Sequence, residues 1–209
     1  MAIDDNLVWS LRRMPVVSQT TWQVWFRGEA GFGNPLGGIN EFSIATWLVA
    51  STAANAVYQQ NTVTGGGRMW YLYRYPDTSI DKFRFDVPLV SGNQTFFSAN
   101  NSGGTDGADT LVVITRSGTA LNLYVDGSFV ETFAIASGNT DAHSTAQNCN
   151  IGTTSGTGCP VHALHAWNRV ITADEVADLY AAGAGGWPSS GVGTSGFTGI
   201  RGVNRRLGT

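Results

Sequence analysis

The sequence predicts an all-β protein of antiparallel strands, and three observations carry that reading. Apolar residues recur at every second position through several separate runs. Glycine is abundant, at 27 of 209 residues, while only 13% of residues are charged, a balance that suits short strands joined by tight turns. Breakers such as GFGNPLGG, TGGG, SGN, NNSGGTDGAD and TTSGTG separate the runs. A chain of this length can bury a core without help from disulfides or metal.

Each element has its own justification. The opening MAIDDNLVWSLRRMPVV, within an N-terminal extension over residues 1–19, is acidic first and basic later, the reverse of a secretory leader. No run approaches the roughly 18 apolar residues of a membrane helix. In TWQVWF, Trp22, Val24 and Phe26 share a face; in EFSIATWLV, Phe42 and Ile44 share one and Trp47 opens the other. DKFRFDV alternates fully, with Phe83, Phe85 and Val87 on one side and Lys82, Arg84 and Asp86 on the other, as in a half-buried antiparallel strand. TLVVIT is apolar throughout and reads as a central strand. In ALNLYVDGSFVETF, Asp126-Gly127 predicts a two-residue hairpin, because such a turn needs positive φ at both central residues. That register puts Leu123 with Val130 and Tyr124 with Phe129. Neither face of the hairpin is purely polar, so a loop, an arm or a ligand is expected over the second face.

One helix is predicted, in ITADEVADLYAAGAGG. Thr172 and Glu175 form a capping box, Asp174 and Glu175 complement the helix dipole, and Val176, Leu179 and Tyr180 form one stripe. Gly183 is a natural stop. Residues 184–209 read as a Gly-rich basic arm with isolated anchors, among them Trp187, Phe197 and Ile200, and with Arg201, Arg205 and Arg206. Setting aside the +3 of this acid-free tail, the total of −3 leaves −6 on the rest of the chain. The body therefore offers no broad basic face to nucleic acid. The arm is either a solvated end or a segment that docks on an acidic protein surface.

The order of pieces FSIATWLV, TLVVITRSGTALNLYVDGSFV, NIGTT and ALHAWNRVITADEVADLY resembles the laminin-G-like, concanavalin A-like lectin/glucanase superfamily. Trp167, Asn168, Arg169, Ile171, Glu175, Leu179 and Tyr180 fall at matching places. The resemblance implies a two-sheet antiparallel jelly-roll sandwich over residues 20–183, with the helix closing one edge. Many members carry acidic residues just before the xNR segment; this chain has His162 and Ala163, so the family's calcium role is not matched there.

Chemistry is sparse. The family's glucanases use an E-x-D-x-x-E strand, and retention needs two carboxyls about 5–5.5 Å apart. The four glutamates, Glu29, Glu41, Glu131 and Glu175, do not begin that pattern. His143, His162 and His165 come with no G-x-S-x-G elbow. Cys149, Cys159, His162 and His165 have the composition of a zinc set, yet a strand over 161–167 would turn the two histidines apart. Cys149 and Cys159 read instead as a disulfide, with two buried thiols as the alternative. GGTDGAD can hold calcium through Asp106 and Asp109, or simply turn. Trp70, Tyr71, Tyr73 and Tyr75 supply aromatic surface for glycan or protein contact, or for the core, with the three tyrosines on one face.

These readings describe a non-catalytic structural and attachment module. Its expected place is the surface of a bacteriophage virion, as capsid decoration or a tail or fibre component. There the arm docks on neighbouring virion subunits or on copies of itself, and the sandwich binds host glycans. The alternative is a secreted, extracellular carbohydrate-binding module.

Overall fold

The computed structural model describes residues 7–11, 39–50, 55–62, 70–75, 82–89, 92–99, 101–138, 147–151 and 161–184. The described strands are β1 (Leu7–Leu11), β2 (Glu41–Val49), β3 (Asn55–Thr62), β4 (Trp70–Tyr75), β5 (Lys82–Leu89), β6 (Gly92–Phe97), β7 (Asp109–Ser117), β8 (Ala120–Val125), β9 (Ser128–Ala134), β10 (Gln147–Ile151) and β11 (Val161–Trp167). One helix, α1 (Ala173–Ala182), follows them. Two antiparallel sheets result, one ordered β1-β11-β2-β7-β8-β9 and the other β10-β3-β4-β5-β6. Residues 7–11, inside the segment read as an extension, form the edge strand beside β11.

Alternation builds the core between the sheets. Phe42, Ile44 and Leu48 of β2, Val112 and Ile114 of β7, and Leu121 and Leu123 of β8 pack with Leu72 of β4 and Phe83, Phe85, Val87 and Leu89 of β5. The apolar run TLVVIT is the fourth of six strands, paired on both sides by β2 and β8. A strand buried on both faces has no need to alternate. At the β6–β9 edge the sheets are tied by Phe96 against Phe133, 5.4 Å apart, and by two side-chain bonds. Ala99 N donates to Glu131 Oε1 at 2.6 Å, and Ala136 N donates to Gln94 Oε1 at 2.8 Å.

The hairpin at Asp126-Gly127 has both central residues at positive φ, 49° and 80°, as the sequence predicts. Tyr124 stands opposite Phe129, and a bulge then leaves Val130 beside the core that contains Leu123. Asp126 also anchors the turn to β7. Its N–H donates to Leu111 O at 2.8 Å, and its Oδ1 accepts from Leu111 N at 2.9 Å.

Helix α1 departs from the expectation of an edge closure. It lies on the outer face of the six-stranded sheet, where Val176 and Leu179 join Ile171 over Ala45, Trp47, Leu111, Val113, Ala163 and Trp167. This is the cover that the apolar second face of the hairpin required, and Tyr124 packs against its margin. Tyr180 stacks on Trp47 at 5.8 Å, and a Cβ at Gly127 would lie 2.9 Å from Tyr180 Cβ. Glycine at 127 thus serves both the turn and the close approach of the helix. The capping box forms as predicted, with Glu175 N donating to Thr172 Oγ1 and Thr172 N to Glu175 Oε2. Gly183 ends the helix at φ 74°.

Candidate functional site

The outer face of the five-stranded sheet is built differently. In β5, Phe83, Phe85 and Val87 are buried in the core, so Lys82, Arg84 and Asp86 belong to the outer face. Register carries this face across the neighbours: Tyr71, Tyr73 and Tyr75 of β4 stand opposite Asp86, Arg84 and Lys82. On the other side, Thr95 and Phe97 of β6 stand opposite Asp86 and Arg84. Gln59 of β3 pairs with Tyr71. Trp70 has the opposite parity, shared with Leu72 and Arg74, which are buried between the sheets. The structure therefore places the three tyrosine positions on the outer face and separates Trp70 from them.

Charge on this face is organised by a fork. Arg84 donates from Nε to Asp86 Oδ1 at 2.9 Å and from Nη2 to Asp86 Oδ2 at 2.7 Å. Residues two apart on a strand share a side, which allows this bidentate geometry. Phe97 is 46% exposed, with Lys82 Nζ 4.9 Å above its ring and Arg84 Cζ at 6.0 Å. A half-exposed ring flanked by fixed donors and acceptors is a surface for stacking plus hydrogen bonding. Neither Phe97 nor Arg84 was singled out from the sequence as a site residue. The signal for Phe97 is the pair Phe96-Phe97: adjacent strand residues point to opposite sides, and Phe96 packs against Phe133.

Of the calcium pair, Asp106 is engaged by a side chain from the core side of β4. Arg74 is fully buried and reaches the loop before β7, donating from Nε to Gly103 O at 2.6 Å and from Nη2 to Asp106 Oδ1 at 2.8 Å. A guanidinium thus organises the loop expected to hold calcium, and calcium would have to compete with it. Asp109 opens β7 at an exposed position. Among the described residues, no three His, Cys, Asp or Glu cluster as a metal site. Cys149 sits in β10 opposite Gln60 of β3. Cys159, His143, Glu29 and the arm residues Trp187, Phe197, Ile200, Arg201, Arg205 and Arg206 lie outside the described residues.

The described glutamates have structural surroundings. Glu131 ties the sheets together at Ala99, and Glu41 begins β2 at an exposed position. Glu175 takes two bonds from Arg169, at 2.6 and 2.7 Å, as well as the Thr172 N–H. Burial opposes its ionisation, but these donors outweigh burial and hold the carboxyl below its usual range. His165 is buried on the helix-covered side, tilted against Trp167.

The model of the concanavalin A-like lectin/glucanases superfamily in its laminin G form matches residues 29–177. The chain belongs to this superfamily. Solved structures of the same fold include the binding domain of botulinum neurotoxin serotype G, with TM-score 0.54 and 14% identity over 69% of this chain and 37% of that one. The CBM40 of the Ruminococcus gnavus IT-sialidase, solved bound to α2,3-sialyllactose, aligns with TM-score 0.54 and 12% identity over 68% of this chain and 83% of its own. The binding domain of botulinum neurotoxin DC, solved with rat synaptotagmin II, gives TM-score 0.55 and 10% identity over 87% and 52%. At these identities the likeness establishes a shared lectin-like sandwich. The chain spans well under half the length of the serotype G domain. A search of curated proteins gives no sequence match. Among the described residues, no helix of this concanavalin A-like chain is long and apolar enough to cross a membrane.

Proposed function

We propose that this concanavalin A-like chain is a non-catalytic attachment module that binds glycans on the outer face of its five-stranded sheet. The observation that carries this reading is Phe97, a half-exposed ring beside the Arg84–Asp86 fork and on the same face as the Tyr71, Tyr73 and Tyr75 positions. Sugar rings present apolar C–H faces to aromatics and hydroxyls to charged donors and acceptors, and this face offers both. The sialidase module of the same fold, solved with sialyllactose, supports a glycan as the ligand class. The structural work of Glu131 and Glu175 supports a binding role in place of hydrolysis.

Attachment needs an anchor as well as a ligand face. Trp187, Phe197, Ile200, Arg201, Arg205 and Arg206 of the arm are the sequence's provision for docking on neighbouring bacteriophage virion subunits or on copies of this chain. A glycan array probed with the full chain tests the ligand face. Phe97→Ala is expected to lower retention about tenfold or more. Phe129→Ala, at an exposed ring on the six-stranded side, is expected to leave retention unchanged. Equal effects, or no retention by the unaltered chain, overturn the proposal. Truncation after Gly183 tests docking through loss of assembly with glycan retention intact.

A further inference from the structure

We propose that the glycan is acidic and that Lys82 receives its carboxylate. This rests on the glycan-binding reading above and narrows it to a substrate class. Lys82 is the only lysine of the chain. On a protein of net charge −3, it stands on the outer side of β5, in register with Tyr75 of β4. Among the described residues, no carboxylate pairs with it. The nearby acid, Asp86, is held in both oxygens by Arg84. What Lys82 has instead is the ring of Phe97, 4.9 Å below its ammonium.

This arrangement couples charge recognition to stacking. A cation resting on a half-exposed ring is held less firmly than one hydrogen-bonded to a carboxylate. An arriving sugar carboxylate therefore draws the ammonium off the ring. The same movement bares the face of Phe97 for the apolar side of that sugar. A neutral sugar must displace the ammonium without offering a counter-charge. Because Asp86 is already neutralised by Arg84, the described residues of this face carry positive charge at Lys82 and little negative charge to repel an anion. Uronates and sialates share the required chemistry, a carboxylate projecting from a pyranose.

The test probes the full chain against an array of oligosaccharides in matched neutral, uronate-bearing and sialate-bearing forms. The unaltered chain is expected to prefer one or both acidic forms about tenfold or more, with a preference that shrinks as salt rises. Lys82→Gln is expected to abolish the preference, bringing acidic and neutral forms to equal retention, and Lys82→Arg to retain it. As an independent readout, the preferred acidic sugar should slow acetylation of Lys82, followed by mass spectrometry at this single ε-amine. Equal retention of neutral and acidic forms, or an unchanged preference in Lys82→Gln, overturns the assignment and leaves glycan binding standing. Retention of no sugar overturns both.

Discussion

On the six-stranded sheet the outer positions include Ala45, Trp47, Leu111, Val113, Ala163 and Trp167, and the chain covers these itself with Ile171, Val176 and Leu179. On the five-stranded sheet the outer positions include Lys82, Arg84, Asp86, Thr95 and Phe97, with three tyrosine positions beside them. The inner faces of both sheets are alike, since each feeds aliphatic and phenyl groups into one core. The difference between the outer faces is one of polarity. An apolar face without a cover is an aggregation hazard, so the fold spends a helix on it. A face of paired charges, with Phe97 half-exposed at its side, needs no such cover among the described residues.

The largest expected effect comes from exchanging the two faces in a substitution test. Trp167 is fully buried under the helix, and Trp167→Ala is expected to cost about 3–5 kcal/mol in urea unfolding. Phe97→Ala removes a ring of similar kind from the open face and is expected to cost less than about 1 kcal/mol. Equal costs would mean that the open face is also a packing surface, and the comparison would fail.

A second test concerns the clamp that seats the helix. Arg169 and Glu175 form a two-bond fork and are both nearly buried. Glu175→Gln leaves the guanidinium without its counter-charge and is expected to cost about 2 kcal/mol, less than a fully buried pair. The pH dependence has a definite sign. Because the folded state holds this carboxyl below its ordinary value, its stabilisation is present above the unfolded value and is lost as pH falls through the folded one. Urea midpoints measured from neutral to acid pH should converge for the two proteins at the acid end.

The open face was partly legible in the sequence, and the sealed one less so. KFRFDV announces its two sides by parity, and Asp126-Gly127 announces its turn, because both depend on neighbours a few residues apart. The stripe of Val176 and Leu179 says that the helix buries one side, but not against which surface. The edge and the face of a sandwich make the same demand on a helix, and only the apolar outer residues of β2, β7 and β11 acting together decide between them. Arg74 is a sharper case. Its parity with Leu72 predicts burial, yet its partners Gly103 and Asp106 lie about thirty residues away and become adjacent only through the sheet. Phe97 was hidden because aromatic residues serve cores and surfaces equally well.

The smallest effect lies at the hairpin beside the sealed face. Asp126 keeps its turn by accepting from Leu111 N, yet burial raises its carboxyl above the ordinary range, and the backbone donor offsets this only in part. A carboxyl raised in the folded state weighs against folding while it is ionised. As pH falls through that raised value, the folded state takes up the proton first and the cost is relieved. Asparagine tolerates the same positive φ and retains the acceptor oxygen without the charge. Asp126→Asn is therefore expected to stabilise by about 0.5 kcal/mol at neutral pH, with the gain fading toward the acid end of a thermal-unfolding series. Charge at Asp126 is thus a cost that substitution can remove, whereas the charge of Glu175, held by Arg169 on the same side, stabilises. A gain at Asp126 that persists unchanged in acid would trace to turn geometry alone and would remove electrostatics from this half of the comparison.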